Sequence, residues 1–164
     1  MKKRLFLLPV ILATTMLVGG CHCFHPVAPP QPLPDSPLSM LSFSESASYY
    51  KRVQGYEFRA EEGKYTVYFH LANEEEPYAV QADEAWAETL TGFISQYGMM
   101  AWDGFIGNAP GLLDGTRFSI SFTFADGTSV HAGGYGRFPA GYGDASAAIE
   151  THFLQLLPED MHTW

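Results

Sequence analysis

The sequence predicts an α+β domain: a two-layer sandwich in which an antiparallel sheet from two hairpins carries two helices on one face, in ββα-ββα order. Three observations predict it. Two segments alternate apolar and polar residues around a turn glycine, a helical apolar stripe follows each of them, and aromatic residues make up 15% of the chain. Such a sheet buries its apolar face only by covering it with the helix stripes.

The elements follow in order. Tyr56, Phe58 and Ala60 alternate with Glu57, Arg59 and Glu61; after Glu62-Gly63, Tyr65, Val67, Phe69 and Leu71 alternate with Thr66, Tyr68 and His70. A two-residue turn at Glu62-Gly63 pairs Phe58 with Val67 and keeps the apolar partners on one side, which is what sets a register. From about Asp83 to Tyr97, Trp86, Leu90, Phe93, Ile94 and Tyr97 recur at helical spacing, with Gly98 as the stop. Phe118, Ile120, Phe122 and Phe124 then alternate with Arg117, Ser119, Ser121 and Thr123. A two-residue Asp126-Gly127 loop would mix the faces. A three-residue loop, Ala125-Asp126-Gly127, with Gly127 left-handed, pairs Phe122 with Val130 and Ile120 with Ala132, and is expected for that reason. Asp144 reads as the N-cap of a second helix whose stripe is Ala145, Ala148, Ile149, Phe153 and Leu156, ended by Pro158. Phe58 and Phe122 each precede their turn glycine by five residues, which leaves a ββα duplication open.

The N-terminus carries a different message. Lys2, Lys3 and Arg4 precede an apolar run from Leu5 to about Val18, followed by Gly19, Gly20 and Cys21. A basic start, a short apolar stretch and small residues at a processing point are the parts of a secretory signal. The run is shorter than the ~20 residues that span a bilayer as a helix. Leu17-Val18-Gly19-Gly20-Cys21 resembles the lipobox of bacterial lipoproteins. The resemblance implies cleavage after Gly20 and diacylglyceryl attachment at Cys21, with palmitate as a further acyl chain. Two or more chains give durable anchoring where one does not. It also implies a place in the cell envelope, and in the outer membrane if the host is Gram-negative, because the sorting position holds His22 and not Asp. The organisation expected is a signal peptide over 1–20, a lipidated Cys and proline-rich tether over 21–40, and one α+β domain over 41–164.

Pro26 opens a stretch with six prolines up to Pro37. Proline fixes φ and removes a donor, so the segment reads as an extended spacer of up to ~45 Å. Removing Lys2, Lys3 and Arg4, three positive charges and no negative one, takes the formal charge from −9 to −12. That balance disfavours nucleic acid and anionic headgroups as partners. With Cys21 acylated, Cys23 has no partner within the chain, and Cys21-His22-Cys23-Phe24-His25 lacks the rigid frame a metal site needs. Neither a metal nor another cofactor is implied.

A second resemblance rests on Trp102, Gly104 and Phe105, then Leu113-Asp114-Gly115, Phe118, Asp126-Gly127, Gly134, Pro139 and Tyr142. This pattern looks like a domain repeated in uncharacterised secreted proteins of gut-type bacteria. It covers about Trp102 to Tyr142 and brings no activity or catalytic residue with it.

Chemistry-bearing motifs are sparse. The sequence has no G-x-S-x-G elbow, no H-E-x-x-H, no phosphate loop and no dinucleotide fingerprint. Asp103 and Asp114 each precede glycine and read as turn residues; Glu74-Glu75-Glu76 reads as a solvated loop. The polar sheet face is the better candidate. Arg59, Tyr68 and His70 from one hairpin and Arg117, His131 and Tyr135 from the other share it, with His70 and His131 as an imagined convergent pair. The expectation is a non-catalytic binding module for an envelope protein, peptide or glycan. The alternative is a small envelope hydrolase or metal-dependent enzyme with an unrecognised site, a reading that convergence of His70, His131 and a carboxylate in a cleft would favour.

Overall fold

A computed structural model describes residues 32–46, 52–112 and 114–161. The signal segment, Cys21, Cys23 and the tether up to residue 31 lie outside the described residues, as does Leu113. The fold is α+β, with a seven-stranded, mostly antiparallel sheet and two helices. Its strands are β1 (Leu38–Glu45), β2 (Val53–Glu61), β3 (Lys64–Leu71), β4 (Tyr78–Ala82), β5 (Ile106–Asn108), β6 (Arg117–Phe124) and β7 (Ser129–Tyr135). The helices are α1 (Glu84–Gln96), after β4, and α2 (Tyr142–Leu154), after β7. Across the sheet the order is β4-β3-β2-β1-β6-β7-β5.

The two expected hairpins are present in their expected registers. Glu62 and Gly63, at φ 51 and 76°, make the β2–β3 turn, and Phe58 pairs with Val67. Phe122 pairs with Val130 and Ile120 with Ala132, around a loop in which Gly127 has φ 89°. Two hairpins do not make the sheet, however, and the order is not ββα-ββα. β1, β4 and β5 are additional. β1 is the central strand, antiparallel to β2 on one side and β6 on the other. It starts at Leu38, three residues inside the stretch expected to be tether, because Leu38 is itself buried and the Ser39 hydroxyl donates to the Thr123 carbonyl at 2.8 Å. β5 is the one parallel neighbour among the described strands, on β7.

Register places Leu41, Phe43, Tyr56, Phe58, Val67, Phe69, Ile120, Phe122, Val130 and Ala132 on one side of the sheet, and all of them are buried. Both helices contact this side. Trp86 of α1 lies 5.9 Å from Phe58, while Phe153 of α2 lies 5.2 Å from Tyr56 and 6.4 Å from Phe69. Fully burying a side chain such as Phe58 or Phe122 stabilises by about 1.5–3 kcal/mol, so this aromatic layer is the main cohesive element.

α1 begins as its sequence suggests: the Asp83 side chain accepts from the Trp86 amide at 2.8 Å. α2 does not. It starts at Tyr142, with Gly141 at φ 76° as the cap, and Asp144 lies inside the first turn. The Tyr142 ring explains the earlier start. It is held 4.4 Å from Phe118 and 4.7 Å from Phe138, and the Ala145 amide already donates to the Gly141 carbonyl at 3.1 Å, one turn before Asp144 could serve as cap. At the far end α2 stops at Leu154; Leu156 packs partly buried against the core, and Leu157 is buried in it.

The helices are tied to each other by a reciprocal pair. The Trp86 indole N–H donates to the His152 carbonyl at 3.3 Å, and His152 Nε2 lies 2.9 Å from the Trp86 carbonyl. A carbonyl can only accept, so Nε2 carries the proton. The two rings stack at 4.3 Å. Among the described residues no helix is long and apolar enough to cross a membrane.

Candidate functional site

The alternation that buries one side of the sheet frees the other. By register the open face carries Met40, Ser42 and Ser44 of β1, Glu57 and Arg59 of β2, Thr66, Tyr68 and His70 of β3, Ser119, Ser121 and Thr123 of β6, and His131 of β7. Arg117 and Tyr135, a directly opposed pair, close one corner. The floor is therefore rich in small hydroxyls, with larger polar side chains on either side of β1.

On the β2–β3 side these side chains form a network. The Arg59 guanidinium donates through Nε to Glu57 Oε1, and His70 Nε2 lies 3.5 Å from Glu57 Oε2. The Arg59 guanidinium carbon also sits 5.2 Å from the centre of the Tyr68 ring, within cation–π range. The hydrogen bond to Glu57 and the charge of that carboxylate hold the guanidinium pKa above its ordinary value. Glu57 is the hub. Its side chain is 15% exposed, against 48% for Arg59 and 50% for His70, so the carboxylate sits under two cation-capable groups that face solvent. The sequence reading left Glu57 out of the candidate face. Its signal was present: Glu57 and Arg59 are two apart in one strand and must share a face.

On the β6–β7 side Arg117 lies 5.8 Å from the centre of the Tyr135 ring, and the Tyr135 hydroxyl accepts from the Gly115 amide at 3.0 Å. His131 is exposed, but its backbone is engaged. Its N–H donates to Asp103 Oδ1 at 3.1 Å, and its carbonyl accepts from the Gly104 amide at 3.0 Å. Asp103 lies in a turn, as a residue preceding glycine was expected to, and its carboxylate also clips that turn to β7.

The structure does not bring the two sides together. His70 is on β3 and His131 on β7, four strand positions apart, or roughly 19 Å at ~4.8 Å per strand. The His–His–carboxylate cleft that would favour an enzyme is not formed by these residues. Among the described residues no group of three or more His, Cys, Asp or Glu side chains is arranged to hold a metal ion.

A further depression lies between α1 and α2, lined by Phe93, Tyr97, Asp144, Ala148 and His152 among others. Nε2 of that His152 is engaged by the Trp86 carbonyl. Elsewhere two buried phenols face carboxylates: Tyr56 donates to Glu150 at 3.2 Å and Tyr142 to Glu45 at 2.6 Å. Burial first, and then the neighbouring carboxylates, push both phenol pKa values far above their ordinary range.

The positions that carried the second resemblance are mainly core and turn residues. Trp102, Phe118 and Tyr142 are buried, the Trp102 indole donates to the Ala140 carbonyl, and Gly127 turns the β6–β7 loop. Comparison with known protein families and with curated proteins finds no match.

Proposed function

We propose that this is an envelope lipoprotein, anchored through Cys21, whose domain is a non-catalytic binding module using the open sheet face near Tyr68. The two helices form one layer over the buried side in this reading, which leaves the other side for a partner. One observation carries it: Arg59, Glu57, His70 and Tyr68 are already ordered by mutual contacts on an exposed, otherwise hydroxyl-rich surface. Preorganised Arg and Tyr side chains lose little freedom on binding and are favoured at the centres of interfaces. An envelope protein, peptide or glycan matches this mixture of aromatic and hydrogen-bonding groups.

The test has two parts. Cys21→Ala in the native host should release the protein from the membrane fraction and abolish a lipid-dependent mass increase. Unchanged fractionation and mass would sink the anchor. Capture of partners from the native envelope should then weaken about ten-fold for Tyr68→Ala, with His131→Ala nearly unchanged because it stands apart from the network. If His131→Ala loses partners that Tyr68→Ala keeps, the site belongs to the other hairpin.

A further inference from the structure

The sheet ends on one side at β4, and this edge is unusually bare. β4 pairs with β3 from Tyr65–Ala82 to Phe69–Tyr78 without a bulge. Among the described residues no other backbone hydrogen bond reaches Tyr78–Ala82. Alternate residues of an edge strand direct their N–H and C=O groups outward, where they template a further strand. Proteins usually blunt such edges with lysine, an internal proline, a bulge or very short length. Tyr78-Ala79-Val80-Gln81-Ala82 has no charge and no proline, and spans five residues. Pro77 stands just before β4 and outside its ladder, while the opposite edge, β5, is only three residues long and has Pro110 two residues after its end.

The surroundings of β4 select its occupant. No Lys or Arg occurs between Lys64 and Arg117. Glu74, Glu75 and Glu76 are exposed just before β4, and Asp83, Glu84 and Glu88 are exposed just after it. At the Ala82 end the neighbouring β2–β3 turn adds Glu61 and Glu62 with Lys64, and Arg59, two strands over on the Thr66–Gln81 line, is already paired with Glu57. A second copy pairing antiparallel along β4 would set the glutamates of one chain against Asp83 and Glu84 of the other. Like charges in that position repel. A strand with basic residues at its ends meets attraction at both.

We propose that the free edge of β4 accepts an additional strand from an extended, basic peptide segment of a partner. Main-chain hydrogen bonds supply the pairing, and the acidic flanks select the sign of the ends. This site is separate from the open face, and neither depends on the other.

The probe is a synthetic peptide of alternating valine and threonine between paired lysines, titrated against the full chain in a neutral detergent at low salt. Saturable binding is expected, with slowed amide exchange confined to residues 78–82 and their neighbours. N-methylation of alternate peptide residues, which removes ladder donors while keeping charge, should weaken binding about ten-fold or more. The variant Glu74→Lys/Glu75→Lys/Glu76→Lys, altered only in an exposed turn, should weaken it to a similar degree, and added salt should do the same to the wild type. The proposal is overturned if the N-methylated peptide binds equally well, or if no saturable binding occurs at millimolar peptide. It is equally overturned if the peptide binds without protecting residues 78–82, or if the chain alone dimerises through that edge.

Discussion

The β2–β3 and β6–β7 hairpins flank the central strand as counterparts, and the comparison shows how one sequence pattern is put to two uses. Each sets an Arg beside a Tyr on the open face, and each sends an aromatic row into the core. They differ in what lies outside them. β3 is extended by β4 through ordinary alternation, with Tyr78 and Val80 joining the core margin. β7 is extended by β5 through close backbone approach. A Cβ on Gly134 would sit 2.4 Å from the Arg137 carbonyl oxygen and 2.9 Å from that of Gly107. A Cβ on Gly55 in β2 would meet nothing nearer than 3.6 Å. One flank is held by side-chain packing, the other by the absence of side chains.

The sharpest way to break this contrast is a pair of glycine substitutions. Gly134→Ala should destabilise by about 3 kcal/mol, since backbone oxygens on both sides cannot swing away as a side chain would. Gly55→Ala should stay within ~0.5 kcal/mol, because its contacts are ordinary ones and alanine lowers the entropy of the unfolded chain. Urea denaturation of both variants measures the difference; equal losses would end the distinction between the flanks.

A smaller effect is expected at the turns. Gly127 has φ 89° with open space around its Cβ position, so Gly127→Val strains only the backbone. A loss of at least ~1 kcal/mol in the same denaturation assay is expected. No loss would mean that the loop relaxes freely and does not hold the register of the second hairpin.

The smallest effect separates the phenols from the rest of the core. Tyr56 and Tyr142 stay protonated in the folded chain well above the ordinary phenol pKa of about 10. Unfolded, they ionise near that value, so the unfolded chain holds fewer protons at high pH. Their contribution is therefore intact below pH ~10 and declines as pH rises above it. Tyr56→Phe should cost about 1 kcal/mol at neutral pH for the lost hydrogen bond to Glu150. It should also flatten the alkaline decline in melting temperature. An unchanged alkaline slope in Tyr56→Phe and in Tyr142→Phe would place the cause elsewhere.

Much of the fold was legible where the signal is local. Phe58 and Val67, or Phe122 and Val130, can be matched across a turn because a hairpin register needs only period-2 alternation and loop length. β1 was not legible for a specific reason. The register shifts between Leu38 and Met40, so Leu38 and Leu41 both point inward with two residues between them, which breaks the alternation. β4 and β5 are short and carry few large apolar residues. The candidate site was half legible: Arg59, Tyr68 and His70 do share a face, and Glu57 could have been placed there from the same alternation, but the wide separation of His70 from His131 depends on which strands lie between.

The sequence by itself determined the two hairpins, the position of α1, and the alternation that leaves one sheet face polar, because each follows from the periodicity and turn chemistry of a contiguous segment. Only the tertiary structure decided that β1 is the centre of the sheet and that α2 starts at Tyr142. The same holds for Asp103 clipping β7, and for β4 ending the sheet with a bare edge among acids. Those outcomes rest on contacts between residues far apart in the chain, where burial against a distant partner overrides what any local window can express.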